Sequence, residues 1–267
     1  MDRDRTPRLE SPRDRPSLPE PIQWCAVSAI GRPGAGVADA EIADTKVADR
    51  LALADWRRRV ADLYGAVRDL ASRDPRAAWE HWRIVRDDLY RTHAQSPVPA
   101  EQRAAFRGHY WAYDPALRTE AAITLADASG EVLPSPTGAS GAAPGPLLQL
   151  PVSTGDAMSF TRIGSVHIPL LDGPKTLDLF WMAGYAGGLF LPFRDTTNGS
   201  ATYGAGRYLL DTAKGADLGT AGAPDRLILD FNFAFQPSCA FDPRWSCPLA
   251  PPENRLTIAI TGGERLT

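Results

Sequence analysis

The chain has little cysteine and no long apolar run. Three cysteines in 267 residues are too few for a disulfide scaffold. No stretch approaches the roughly 18 consecutive apolar residues that a membrane-spanning helix requires. With 29 basic and 32 acidic side chains the net charge is −3, so the protein lacks the broad positive field that attracts nucleic acid. We therefore expect neither a nucleic acid nor a membrane as partner.

Common catalytic and metal-binding signatures are also missing. No Gly-x-Ser-x-Gly turn is present, and no glycine-rich loop ends in Gly-Lys-Ser/Thr. The four histidines form no pair with ligand spacing: His81, His93, His109 and His167. We predict no metal site, and the sequence identifies no cofactor. Whether the protein is an enzyme stays open.

Two segments are predicted to lack stable structure. Residues 1–45 begin with a charged, proline-rich stretch that has little apolar surface to offset the entropy of ordering. The charges of this stretch alternate in sign and its apolar run is short, which is not typical of a secretory signal. We therefore expect a cytoplasmic protein. Residues 134–146 contain only proline, glycine, alanine, serine and threonine, and they predict a flexible surface insertion. The remainder, 46–267, is predicted to form a single domain.

The first part of that domain has a helical period, with helices expected between 47 and 106. Apolar residues recur at steps of three and four over 47–72. A second helix is predicted to open at Asp74-Pro75, where an aspartate cap precedes a proline at the first helical position. The two helices are expected to pack as an antiparallel pair.

From residue 119 to 262 the apolar period becomes two, which is typical of strands. The predicted strands are 121–126, 147–152, 158–162, 166–171, 176–182, 188–193, 207–211, 227–235 and 256–261. Asp172-Gly173 predicts a hairpin turn. No helix separates the later strands, so the sheet should be mainly antiparallel. The predicted fold class is α+β, with the helical pair packed on a β-barrel or β-sandwich.

The segment 191–211 is the strongest candidate for binding. It gathers Arg194, Asp195, Tyr203 and Arg207 in one glycine-rich connection. Guanidinium groups suit a carboxylate or phosphate because their planar fork contacts two oxygens at once. The alternative is a hairpin loop in which Arg–Asp pairs serve structure alone.

The segment 227–235 carries Asp230 and Asn232 on the face opposite its leucines and phenylalanines, if it is one strand. That polar face either meets solvent or lines a cavity. In a cavity, Asn232 would orient a ligand, and Asp230 would act as a base if burial raises its pKa.

Cys239 and Cys247 bracket a turn that contains Arg244. They are small buried residues, a redox pair or disulfide, a nucleophile whose thiolate Arg244 favours, or part of a zinc site. Asn254 follows in the same segment as a candidate ligand contact.

Three motifs resemble a bacterial family known as a domain of unknown function. They are GGLFLPFRD at 187–195, TYGAGRYLLD at 202–211 and PSCAFDPRWSCPLAPPENR at 237–255. The resemblance covers roughly residues 50–260. It implies a recurrent cytoplasmic protein with a single domain and supplies no activity or cofactor.

The resulting hypothesis is a pocket for a small anionic metabolite, with catalysis left open. We expect the ligand-binding residues to be Arg194, Tyr203, Arg207, Asn232 and Asn254, and the catalytic residues to be Asp195, Asp230 and Cys239. The alternative is a non-catalytic ligand-binding or protein-interaction module whose polar motifs are structural. A homo-oligomer is compatible with either.

Overall fold

The computed structural model describes residues 37–126, 147–170, 172–184 and 187–266. Residues 44–267 form one compact unit. The first helix begins within the predicted 1–45 tail, whose first 36 residues lie outside the described ranges, as do Cys25 and the predicted insertion. No helix within these ranges is both long and apolar enough to cross a membrane.

Two antiparallel helices come first, as predicted. Helix α1 spans Val37–Ala71 and α2 spans Pro75–Thr92. Contacts at two points along the helices show that they run antiparallel. His93 Nε2 lies 3.1 Å from Asp55 Oδ2, and nearer the connection Trp82 Nε1 donates to the Tyr64 hydroxyl at 3.2 Å.

The start of α2 provides a stability test. The Asp74 carboxylate accepts a hydrogen bond from the Ala77 amide at 3.0 Å, which satisfies one of the free N–H groups of the first turn. We expect Asp74→Ala to lower the free energy of unfolding by about 1 kcal/mol. Urea denaturation measures the change. Asp69→Ala, at an exposed site on α1, is the matched control and should not reproduce the loss.

An antiparallel sheet follows the helices. Its strands are β2 (Arg118–Leu125), β3 (Leu147–Pro151), β4 (Ala157–Leu170), β5 (Gly173–Met182), β6 (Leu189–Phe193), β7 (Arg207–Asp211) and β8 (Arg226–Asp230). The order is β7-β6-β5-β4-β2-β8, with β3 also paired to β4. Two short strands, β1 (His109–Tyr110) and β9 (Glu264–Arg265), form a separate pair.

The sheet curls into a half-barrel. The chain beyond β8 returns to β7, at the far end of the strand order, where Tyr208 and Phe235 exchange two backbone hydrogen bonds of 2.9 and 3.0 Å. Together with the two helices, this curled antiparallel sheet confirms the predicted α+β class.

Two predicted strands are joined in the structure. The segments 158–162 and 166–171 belong to one long strand, β4, bent by a register shift between Arg162 and Gly164. A side chain at Gly164 would meet the Thr124 carbonyl oxygen at 2.3 Å, so only glycine fits there. The predicted hairpin is present, with Leu170 paired to Gly173.

The strand predicted over 227–235 is wrong beyond Asp230. The Asp230 carboxylate accepts from the Asn232 amide at 2.9 Å, and the chain enters a short 3-10 helix, Phe231–Phe233. Alternation therefore ends, and both Asp230 and Asn232 are fully buried instead of lining one polar face.

The strand predicted over 256–261 is also wrong. This segment is irregular, and the carbonyl groups of Ile260 and Gly262 accept from the Arg207 guanidinium. A side chain therefore occupies acceptors that a neighbouring strand would use in a sheet.

Apolar side chains fill both faces of the sheet. Leu179 and Phe180, neighbours on β5, enter different clusters because successive strand residues point to opposite faces. One cluster joins the sheet to the helices through Phe160, Phe180, Phe190, Tyr208, Leu63, Tyr64, Val67, Trp79 and Trp82. The other lies on the opposite face of the sheet and contains Val166, Ile168, Leu177, Leu179, Leu191, Phe193, Leu209, Leu227 and Leu229.

Candidate functional site

A buried ion pair lies at the centre of the predicted 191–211 segment. Arg207 Nη2 donates to Asp195 Oδ2 at 2.6 Å, and both side chains are fully buried. Burial lowers the pKa of Arg207, and the Asp195 carboxylate opposes that effect. The guanidinium also lies about 5.1 Å from the ring centres of Trp111 and Phe193. With no exposed surface, Arg207 stabilises the loop instead of contacting an external ligand.

The same guanidinium joins the loop to the C-terminal segment. Its Nη2 donates to the Ile260 carbonyl at 2.8 Å, and its Nη1 donates to the carbonyls of Gly262 and Glu264 at 2.5 and 3.1 Å. Arg207 therefore connects strand β7, Asp195 and residues 260–264.

The other carboxylate oxygen of Asp195 also accepts hydrogen bonds. Oδ1 accepts from the Thr197 amide at 2.7 Å and from the Thr197 hydroxyl. Asn198 supports the turn by accepting from the Asp195 amide at 2.7 Å. Gly199 allows the turn to close because its φ is 82°. Both oxygens of Asp195 thus accept hydrogen bonds, one within the turn and the other in the ion pair.

Arg194 directly follows strand β6 and precedes Asp195 in the chain. Its Nη2 donates to the Gly204 carbonyl at 2.6 Å, and the guanidinium is partly exposed. The backbone places Arg255 beside it through a parallel bridge, in which Leu256 N donates to Arg194 O at 2.7 Å. Across the described ranges, no ion pair includes either arginine.

A polar cleft opens at these two arginines. Its volume is about 290 Å³, and its lining is Arg194, Asp195, Thr196, Asn198, Gly204 and Arg255. The Asp195 charge is neutralised by Arg207, so the free charge in the cleft is positive. This is a suitable environment for a carboxylate or phosphate.

A larger and more apolar cavity adjoins the same arginine. Its volume is about 570 Å³, and Arg194 lines both spaces. The apolar part of its lining is Leu148, Leu150, Pro151, Phe180, Leu249, Ala250, Pro251 and Pro252. Arg162 and Asp178 form an ion pair in its wall at 2.8 Å, and Glu253 lies at its edge.

Asn254 holds the segment that supplies residues 249–253 of this lining. Its side-chain amide donates to the carbonyls of Asp178 and Pro192 at 2.8 and 2.7 Å, and its oxygen accepts from the Asp178 amide at 2.7 Å. All of these partners are backbone groups of β5 and β6. Asn254 is fully buried and positions the neighbouring Arg255 without reaching the cavity itself.

Asp230 and Asn232 lie in a different polar group. Asn232 accepts from the Asp114 amide at 2.9 Å and donates to the Asp114 carbonyl at 2.7 Å. Asp230 faces Arg118, 3.7 Å away, which is too long for a hydrogen bond. Burial raises the pKa of Asp230 to about 6, while Asn232 and Arg118 oppose the rise. Within the described part of the chain, no contact joins Asp230 or Asn232 to Arg194, so the expected convergence does not occur.

The cysteines form a third group with Tyr203. Cys239 and Cys247 are free thiols, both buried. The Cys239 amide donates to Cys247 Sγ at 3.3 Å, and hydrogen bonding with Cys247, Ser153 and Tyr203 lowers the pKa of Cys239. Arg244 pairs with Asp242 at 3.1 Å instead of approaching the sulfur. Among the described residues no group of three or more histidine, cysteine or acidic side chains is placed to hold a metal ion.

Comparison with known proteins places this geometry in a family. A sequence model described as protein of unknown function (DUF1684) matches residues 104–265. The chain belongs to this family. The predicted membership in a domain-of-unknown-function family is thereby confirmed. A search of curated proteins finds no match.

A solved structure from the archaeon Haloarcula marismortui is similar to this DUF1684 chain. It is the solution NMR structure of an uncharacterised protein, 30% identical in sequence, with a TM-score of 0.51. The similarity covers 74% of this chain and 97% of the other. The relationship extends to the overall fold and assigns no activity.

Sequence reasoning did not select every residue of this DUF1684 site. Arg255 ends the third motif, and its adjacency to Asn254 was the available signal. Glu264, which pairs with Arg86 at 2.5 Å, and Arg118, opposite Asp230, carry no local signal because their partners are distant in sequence.

Proposed function

We propose that this DUF1684 protein binds a small anionic molecule through Arg194 and Arg255. The proposal rests on one observation: the backbone pairs Arg194 with Arg255, both residues line one cleft, and neither has an ionic partner in the described chain. Two like charges held together are a favourable site for an anion that contacts both.

The adjoining cavity supports a ligand with an apolar body. Because Arg194 lines both spaces, a head group bound at the cleft can continue into the larger cavity against Leu148, Leu150 and Phe180. A volume of about 570 Å³ lies within the usual range for small-molecule sites. We infer a carboxylate or phosphate ester that carries an aliphatic or aromatic group.

The proposal is restricted to binding, without a reaction at the cleft. Both oxygens of Asp195 accept hydrogen bonds, and Asp230 contacts other residues. These commitments support the interpretation of the two aspartates as structural. They favour the non-catalytic alternative over the acid–base hypothesis.

A thermal-shift screen tests the proposal on the full-length protein. The ligands are series of carboxylates and phosphate monoesters with increasing apolar chain length, with the uncharged methyl esters of the carboxylates for comparison. We expect stabilisation by the anions, increasing with chain length, and little by the esters. If the anions stabilise the protein no more than the uncharged esters across all ligands tested, the proposal is contradicted.

Arg194→Ala is expected to weaken binding of any ligand found by about tenfold or more, because it removes a charged hydrogen-bond donor. Arg255→Ala should act in the same direction. Arg58→Ala, at an exposed position on α1, is the matched control and should bind as the parent does. Titration calorimetry measures the three affinities, and an unchanged affinity in Arg194→Ala would remove that residue from the site.

The proposal also includes the cellular location and the partner of the protein. We infer a cytoplasmic protein whose partner is a small molecule, not a nucleic acid or membrane, on the basis of its few cysteines, its net charge of −3 and the absence of a long apolar run in the sequence. Light scattering with size-exclusion chromatography, with and without ligand, measures whether it forms a homo-oligomer.

A further inference from the structure

Cys239 and Cys247 are held together by backbone contacts from several segments. Cys239 lies in a short 3-10 turn, Ser238–Ala240, and its amide donates to Cys247 Sγ at 3.3 Å. Cys247 is fixed to the β3–β4 connection, because its amide donates to Ser153 Oγ at 3.0 Å and its carbonyl accepts from the Ser153 amide at 3.0 Å. The two thiols are thus neighbours on a rigid frame.

Polar groups surround one sulfur of the pair. The polar groups that act on Cys239 belong to Cys247, Ser153 and Tyr203. These contacts, led by that of Cys247, lower the pKa of Cys239 to about 6 despite its burial, and the same coupling raises the pKa of Cys247. Burial raises the pKa of Tyr203 to about 12, so its hydroxyl stays protonated and remains a donor at neutral pH.

Access to this sulfur is narrow. Cys239 is 7% exposed, and neither cysteine lines the cavities described above. Ser153, which contacts the pair, is exposed to solvent. This arrangement suits a reagent of a few atoms and not a substrate that needs a pocket. It is independent of the cleft at Arg194.

We propose that Cys239 and Cys247 form a peroxide-reactive dithiol, in which Cys239 is the attacking sulfur and Cys247 the resolving one. The Cys239 thiolate attacks hydrogen peroxide, the O–O bond breaks, and the products are a sulfenic acid and hydroxide. The Cys247 sulfur then attacks the Cys239 sulfur, its proton passes to the departing hydroxide, and a disulfide and water form. Overall, two thiols and one peroxide give one disulfide and two waters.

Two groups of this site have distinct tasks. Tyr203 is a positioning residue that donates to the attacking sulfur and favours its thiolate form. Cys247 is both a donor to that thiolate and the group that closes the disulfide. The polar surroundings of Cys239 thus replace the arginine expected from the sequence.

The test uses the full-length chain with Cys25→Ser, so that only the pair can react. We expect hydrogen peroxide to remove both free thiols, to give a peptide linking 239 and 247 with two hydrogens fewer, and to be reversed by dithiothreitol. Because this measurement keeps both cysteines, it does not depend on a substituted pair folding. Peroxide treatment that leaves two thiols, or gives only sulfinic acid, would overturn the proposal.

Single variants assign the roles. Cys247→Ser should stop at a sulfenic acid on Cys239 that dimedone traps, whereas Cys239→Ser should react with peroxide about tenfold more slowly or worse. Tyr203→Phe should slow the reaction at pH 7 and leave it unchanged at pH 10, where the thiolate forms without its help. Equal rates for Cys239→Ser and the parent would reverse the assignment, and equal slowing by Tyr203→Phe at both pH values would exclude its effect on the thiolate.

Discussion

Replacing Arg207 with methionine is expected to destabilise the protein by about 3–5 kcal/mol, because it leaves a buried carboxylate without its counter-charge. Asp195 is buried and its Oδ2 lies 2.6 Å from the guanidinium. The carbonyls of Ile260, Gly262 and Glu264 would lose the same donor. Methionine retains much of the side-chain volume of arginine. The loss of unfolding free energy therefore reflects the missing polar contacts more than a cavity. Urea denaturation of the full-length chain at pH 7 provides the measurement.

Two further variants separate the possible causes. Adding Asp195→Asn to Arg207→Met removes the unpaired charge and should recover part of the loss, which a defect of packing alone would not allow. Arg194→Ala, one residue from Asp195 but partly exposed, should change the free energy of unfolding by about 0.5 kcal/mol or less. If Arg207→Met lowers the free energy of unfolding by less than about 1 kcal/mol, the attraction within the ion pair does little more than offset the cost of burying its two charges.

The elements predicted correctly are those whose signals are local. The α2 start depends on Asp74 and Pro75, and the apolar steps in α1 are three and four residues long. The strand 207–211 has the predicted bounds for the same reason. By contrast, the 3-10 helix after Asp230 results from one side-chain contact, and residue-by-residue alternation continues through it in the sequence. Pattern alone therefore extends the strand too far.

The candidate site is only partly predictable because burial of charge is decided by distant segments. Arg194 and Arg207 have the same chemistry and lie in one loop, but residues 260–264 cover only Arg207. The sequence indicates that the 191–211 and 239–254 segments carry chemistry, and the structure brings Arg194 beside Arg255. No local pattern identifies which arginine becomes internal. That difference separates the proposed ligand contact from the structural ion pair.

The buried Asp230 leads to the second large effect, a stability that depends on pH. Burial raises its pKa from 3.8 to about 6 in the folded protein. The folded state therefore holds this proton more tightly than the unfolded state, in which the pKa is about 3.9. The free energy of unfolding contributed by Asp230 falls as the pH rises from about 4 to above 6. The difference between the two pKa values corresponds to roughly 3 kcal/mol.

Asp230→Asn tests this effect because asparagine does not ionise and retains an oxygen that can accept from the Asn232 amide. Urea denaturation of both proteins from pH 4 to pH 7 gives the difference, parent minus variant, in the free energy of unfolding. We expect this difference to decrease by roughly 2 kcal/mol between pH 4 and pH 7, because part of the effect lies below pH 4, while the titration of all other groups cancels. The exposed control Asp69→Asn should give a difference that stays flat. A flat difference for Asp230→Asn as well would mean that Arg118, 3.7 Å away, offsets the burial of the carboxylate.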